Sequence, residues 1–279
     1  MDISHARLIG SGDDSLEPFD AYIEKLRKYL EDIGKRGQLR EISCPAKVAE
    51  LMEGLPVRVG PQERANIILK EDTAVELGNP NVASCAFLLW TPNPTLVRDG
   101  RITLIGPDIQ EGVGQSLPLA QVLIIGGPGL KDQHHLVLEQ HYIISNQIEG
   151  YMIRLAPQRQ RMWTRVSKEA MEKGFSFEAL GRAIMAIYKS GFPVIDAAEV
   201  VFLTSSKEDV KGLESIATEV QKIKNDALSS SFVRKDDGSY ECTSGYVDCR
   251  ECPDQVVCDE IRGLVRLKRK KRESSGSVK

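Results

Sequence analysis

Between residues 19 and 33, Phe19, Tyr22, Ile23, Leu26, Tyr29, Leu30 and Ile33 recur at helical spacing and share one side of the chain. This spacing predicts an amphipathic helix, entered through Pro18 and ended at Gly34. A shorter helix is expected at roughly 45–53, in PAKVAELMEG. From Leu55 onward the period changes. TAVELG (73–78), ASCAFLLW (83–90), RITLIG (101–106) and LAQVLIIGG (119–127) are short apolar runs separated by Pro, Gly and Asn, and they read as strands.

Residues 131–149 place Leu136, Leu138, His141, Ile144 and Ile148 along one broad side, which predicts another helix. YMIRLA and MWTRVS read as short strands, SFEALGRAIMAIYKSG as a helix, and AEVVFLTS as a β-branched strand. That strand runs into Ser205-x-x-Glu208, the pattern of a capping box, which opens a helix to about residue 227. No internal repeat or long linker interrupts the alternation. The expectation is a mixed α/β chain of the α+β class: a helical preface over 1–54, a mixed-sheet core with flanking helices over 55–228, a four-cysteine module over 235–262 and a basic tail over 263–279.

Composition narrows the function classes. With 279 residues, 41% apolar and 28% charged, and a net charge of −3, the chain fits neither a disordered protein nor a globally basic nucleic-acid binder. The charge is uneven: residues 261–279 carry eight Lys and Arg against one Glu, leaving the rest near −10. The basic end reads as a solvated, frayed helix end, with contact to an acidic partner or nucleic acid as the alternative. The first residues lack the basic start and apolar run of a signal peptide, and LAQVLIIGG is too short to span a bilayer. A cytoplasmic location is expected, where disulfides rarely persist and clustered cysteines point to metal or redox chemistry.

Four of the six cysteines, Cys242, Cys249, Cys252 and Cys258, fall within seventeen residues at the spacing C-x6-C-x2-C-x5-C. Thiolates are soft ligands, and four of them suit either a 4Fe–4S cluster or Zn²⁺. The paired C-x-x-C knuckles of a zinc ribbon are missing, and Pro253 follows a ligand cysteine as in ferredoxin-type segments, so the cluster is the favoured reading and zinc the alternative. The segment has almost no apolar core, so bound metal would supply its folding energy.

A second concentration of chemistry lies upstream. Arg154, Arg159, Arg161 and Arg165 fall within twelve residues around Trp163, and on a strand Arg161, Trp163 and Arg165 share one face. Guanidinium forks suit phosphate oxygens, and an indole offers a stacking surface for adenine, a combination that fits coenzyme A. The plainer reading is that Trp163 is core and the arginines pair with carboxylates. GGPG at 126–129 reads as a plain turn rather than a phosphate loop, and His134 and His141 share a helical face without a carboxylate partner. Cys85 sits in an apolar strand and reads as a small buried hydrophobe.

The stretch 56–206 resembles the middle region of the acetyl-CoA synthase subunit of the carbon monoxide dehydrogenase/acetyl-CoA synthase complex. The pieces that carry the likeness, in order, are LPVRVGPQERANIILKEDTAVELG, DGRITLIGPDIQEG with LPLAQVLIIGG, QRQRMWTRVSKEAMEKGFSFEALGRAI, and FPVIDAAEVVFLTS. The Trp-x-Arg-x-Ser-Lys run followed by Lys-Gly-Phe is the most specific. The resemblance implies a coenzyme A or acyl-CoA site in which Arg159, Trp163, Arg165, Ser167 and Lys168 match the family's motif. Arg161 stands where that family usually has an apolar residue. It also implies anaerobic one-carbon metabolism, iron–sulfur chemistry, and a corrinoid protein or CO dehydrogenase-type subunit as partner.

Two features depart from the family. The Cys-x-Cys that holds nickel there occurs nowhere in this sequence, and only 74 residues follow Ser205. If the chain is an enzyme, an acyltransferase related to the CO-methylating synthase is expected. The alternatives are a non-catalytic scaffold or docking subunit, or a zinc-bearing regulatory protein.

Overall fold

Both helices expected near the amino terminus form, and a strand forms between them. The structure, a computed structural model, describes residues 18–36, 38–60, 67–79, 81–130, 147–156, 161–230, 232–234 and 240–242. Helix α1 (Pro18–Gly34) buries Ile23, Leu26, Leu30 and Ile33, the apolar stripe that its spacing marks out. Strand β1 (Leu39–Ser43) precedes α2 (Val48–Met52). It pairs antiparallel with β4 (Arg101–Ile105), Leu39 opposite Ile105 and Ser43 opposite Arg101. LREIS carries no stripe because it is an edge strand whose residues alternate between exposed and half-buried.

The larger sheet runs β1-β4-β9-β6-β3. Strand β4 is parallel to β9 (Ala197–Leu203), β9 antiparallel to β6 (Leu119–Gly126), and β6 parallel to β3 (Ser84–Thr91). Strands β3, β6 and β9 are buried at every position, which is why they read as unbroken apolar runs. One face of β9 meets α4 (Phe177–Gly191), with the Phe177 and Phe202 rings 4.5 Å apart. Helix α5 (Lys207–Ser230) packs beside α1, where Tyr29 Oη donates to the Asp209 carbonyl at 2.7 Å.

A second sheet carries the candidate chemistry. Its order is β5-β2-β8-β7, from β5 (Ser116–Leu117), β2 (Thr73–Leu77), β8 (Arg161–Ser167) and β7 (Tyr151–Ala156). Strands β7 and β8 form an antiparallel hairpin, β2 is antiparallel to β8, and β8 packs on β3 of the larger sheet. A short helix, α3 (Lys168–Glu172), follows β8 directly. A two-stranded ribbon, β10 (Phe232–Arg234) with β11 (Tyr240–Cys242), pairs Phe232 with Cys242. Helices with mixed parallel and antiparallel sheets make the α+β class that the pattern predicts.

Two local expectations need correction. The helix expected over 131–149 falls outside the described residues up to 146, and its end is not helical: Gln147–Gly150 form a turn, with Ile148 bridging to Val59. Ile148 is fully buried there as a bridge residue, so an apolar position that mimics helical period serves another purpose. The cap of α5 lies one residue later than expected. Ser206 Oγ accepts the Asp209 N–H at 3.0 Å, while Ser205 Oγ donates to the Asp209 carboxylate at 2.7 Å.

Candidate functional site

Strand β8 alternates as its period dictates. Met162, Thr164 and Val166 are fully buried, whereas Trp163, Arg165 and Ser167 on the opposite face are half-buried. The Arg165 guanidinium lies over the Trp163 ring, 4.8 Å from its centroid. Its Nε donates to Glu76 Oε1 at 3.0 Å, Glu76 being its register partner on β2, and its Nη1 donates to the Ile68 carbonyl at 3.1 Å. The Asn79 amide reaches the other Glu76 oxygen at 3.4 Å and Ser116 Oγ at 3.2 Å. A polar chain therefore runs Ser116–Asn79–Glu76–Arg165–Trp163 across β5, β2 and β8. Met152, the register partner of Arg165 on β7, accepts the Ile68 N–H on its sulfur at 3.4 Å and helps hold that segment against the sheet.

The other residues of the run fall unevenly. Arg154 is the register partner of Trp163, and Arg161, the first residue of β8, is that of Ala156. Arg159 lies outside the described residues. Lys168 is exposed and has left the strand: it opens α3, and its N–H donates to the Asp72 carbonyl at 2.9 Å. Ser167 caps that helix, its hydroxyl accepting the Ala170 N–H at 3.1 Å. Gly174 ends it at φ 90°, a conformation that favours glycine. Phe175 is fully buried, its ring 5.9 Å from that of Tyr151. The second half of the Trp-x-Arg-x-Ser-Lys…Lys-Gly-Phe run is thus explained by starting, stopping and seating α3.

Electrostatics around α3 follow from the same contacts. Lys173 bridges Glu169 at 2.7 Å and Glu149 at 3.3 Å. The backbone N–H of Arg58, donating to Glu149 at 3.0 Å, holds the Glu149 carboxyl below its usual value, helped by Lys173. Burial pushes the Tyr151 phenol well above its ordinary range. Burial also raises the Cys44 thiol.

The glycine turn at 126–129 has a packing role. The Gly127 N–H donates to the Thr91 carbonyl at 3.1 Å, and a Cβ on Gly127 would fall 2.0 Å from the Val194 carbonyl oxygen. That N–H is engaged within the fold, as a plain turn requires. Cys85 is buried within β3, as its apolar surroundings predict. Cys242 ends β11, whereas Cys249, Cys252 and Cys258, like His134, His135 and His141, lie outside the described residues. Among the described residues, no group of three or more His, Cys, Asp or Glu is placed to hold a metal ion. Nor, among them, is any helix long and apolar enough to cross a membrane.

A separate concavity of about 580 Å³ opens at the carboxyl ends of the parallel strands β4 and β9, between Arg36, Gln38, Glu111, Ser205, Ser206 and Asp209. Sequence reasoning does not reach it, because sheet order alone brings these segments together. Two of its carboxylates are paired, Asp209 with Arg36 at 3.6 Å and Glu111 with the neighbouring Arg40 at 3.1 Å, and Glu208 lines it as well.

The family described as CdhC, CO dehydrogenase/acetyl-CoA synthase complex beta subunit, matches residues 55–210, a segment that holds β2 through β9 and the whole Trp163 face. The chain belongs to this family. The acetyl-CoA decarbonylase/synthase complex subunit beta 1 of Methanosarcina acetivorans is 30% identical over 218 residues, covering 75% of this chain and 46% of that protein. The corresponding beta subunit of Archaeoglobus fulgidus is 33% identical over 194 residues, covering 67% and 36%. The carbon monoxide dehydrogenase/acetyl-CoA synthase subunit alpha of Moorella thermoacetica is 31% identical over 232 residues, covering 82% and 31%. The chain therefore spans less than half the length of these relatives. In this member of the CdhC family, the residue that sequence reasoning missed is Glu76. Its signal was a lone carboxylate inside the apolar strand TAVELG, facing the same side as the arginines.

Proposed function

We propose that the chain binds coenzyme A or an acyl-CoA at the Trp163 face, acting in the CO/acetyl-CoA branch of anaerobic one-carbon metabolism to which its family name points. The observation that carries this reading is the stacked pair on β8. A half-buried indole stands beside a guanidinium, and Arg154 and Arg161 hold register positions on the same pair of strands. Trp163 would meet the adenine; Arg159, Arg161 and Lys168 supply positive charge for the phosphates.

The second part of the reading is a C-terminal cluster. Cys242, Cys249, Cys252 and Cys258 offer four thiolates, a donor set that fits 4Fe–4S and, as the alternative, Zn²⁺. A bound cluster would supply electron transfer or a redox-sensitive structural staple. No carbon–carbon bond formation at nickel is assigned, since the sequence contains no Cys-x-Cys. Partners of the expected chemistry are a corrinoid protein or a CO dehydrogenase-type subunit. A docking subunit without turnover uses the same face.

Thermal unfolding with and without coenzyme A tests the reading. A ligand that binds only the folded state raises Tm with concentration. The rise should be present in the wild type and lost in Trp163→Ala. No shift at millimolar coenzyme A would rule the site out.

A further inference from the structure

The guanidinium of Arg165 is engaged on three sides: by the Glu76 carboxylate, by the Ile68 carbonyl and by the Trp163 ring. Only 14% of its side chain is exposed, and 21% of that of Glu76. A phosphate approaching the Nε edge of the Arg165 fork would have to displace Glu76 and leave a carboxylate beside the incoming anion, in a site where little of either side chain meets water. Breaking a largely buried pair in that way is unfavourable. What this geometry does well is different. A cation fixed over an indole restricts how the ring can turn, and a ring ordered in advance costs less to order when a ligand stacks on it. Asn79, anchored to Ser116, holds the Glu76 carboxylate from behind.

We infer that Arg165 is a positioning residue: backed by Glu76, it locks the Trp163 indole in the orientation that receives adenine, and it takes no phosphate itself. This inference rests on the coenzyme A reading above for the ligand, and on the Glu76–Arg165–Trp163 contacts for the lock. Phosphate recognition then belongs to the other basic residues of the reading above, Arg159, Arg161 and Lys168.

The chain has two tryptophans, so in a Trp90→Phe background the emission of Trp163 is observed alone. Without ligand, Glu76→Gln and Arg165→Met are each expected to shift that emission and lower its anisotropy, with circular dichroism confirming that the variants fold. Unchanged emission in both would overturn the lock, whatever the protein binds. With ligand, coenzyme A and adenosine are titrated in parallel. Arg165→Met should weaken both by a similar factor, roughly five- to tenfold for the loss of a cation–π-ordered ring. The salt dependence of coenzyme A binding should stay as in the wild type. Arg165→Lys keeps the charge but not the planar fork, and should behave like the Met variant. A loss confined to coenzyme A, with a flatter salt dependence and rescue by Lys, would make Arg165 a phosphate ligand and defeat the inference. If the wild type binds neither ligand, the coenzyme A reading fails, and the emission of the apo variants still decides the lock.

Discussion

Glu199, with 1% of its side chain exposed, lies 3.3 Å from the Arg27 guanidinium, so a buried charge ties α1 to the central strand of the larger sheet. The same carboxylate accepts the Arg98 N–H at 3.0 Å. A buried anion is tolerated only while its partners remain, and removing one typically costs about 3 kcal/mol or more. Arg27→Met should therefore lower the unfolding free energy by an amount on that order, read as a fall in the urea midpoint at unchanged slope. Replacing both partners, Arg27→Met with Glu199→Leu, should recover only part of the loss, because the stranded charge is gone while the Arg98 N–H loses its acceptor. A double variant as unstable as the sum of the two singles would show that the pair acts independently.

Two glycines should respond very differently to alanine. Gly174 has φ 90° and nothing within 4 Å of an added Cβ, so Gly174→Ala meets only backbone strain, roughly 1–2 kcal/mol. Gly127→Ala would place a methyl 2.0 Å from the Val194 carbonyl oxygen, where backbone must move. Thermal melts should rank Gly127→Ala well below Gly174→Ala. The reverse order would mean that the crossing of 127 over 194 is not tight.

What could be read from the sequence follows from how strongly each element shows its environment. Strands β3, β6 and β9 are buried on both faces, so their apolar runs announced them within a residue or two of their bounds. Strand β8 alternates, so the shared face of Trp163 and Arg165 was legible as well. Strand β1 was not, because an edge strand of alternating exposure has no apolar signature. The Glu76–Arg165 pair was hidden for another reason. Its members are 89 residues apart, and their register exists only once β2 is laid against β8. Pairing across a sheet is information held by topology, and local spacing does not contain it.

The Glu149 carboxyl gives a pH dependence with a definite sign. Its folded pKa is depressed, chiefly by the Arg58 N–H, so the stability it contributes is present above the unfolded value near 4.3 and is lost as pH falls through the folded value. Glu149→Gln should lower Tm at neutral pH and make the difference from wild type shrink below about pH 4. A difference that stayed constant across the acid range would assign Glu149 a role unrelated to its charge.

The cysteine segment decides between two metals by stoichiometry. A 4Fe–4S cluster on Cys242, Cys249, Cys252 and Cys258 predicts about four iron and four acid-labile sulfide per chain in protein prepared without oxygen, whereas a zinc site predicts about one zinc and no sulfide. In either case Cys249→Ser and Cys252→Ser should deplete the metal, because a four-thiolate site loses a charged ligand that a hydroxyl replaces poorly. Cys44→Ser should leave the content unchanged, since Cys44 is a free, partly buried thiol beside β1 in the larger sheet. Protein without metal, in which all six thiols react freely after unfolding, would remove the cluster from the proposal and leave the Trp163 face to stand alone.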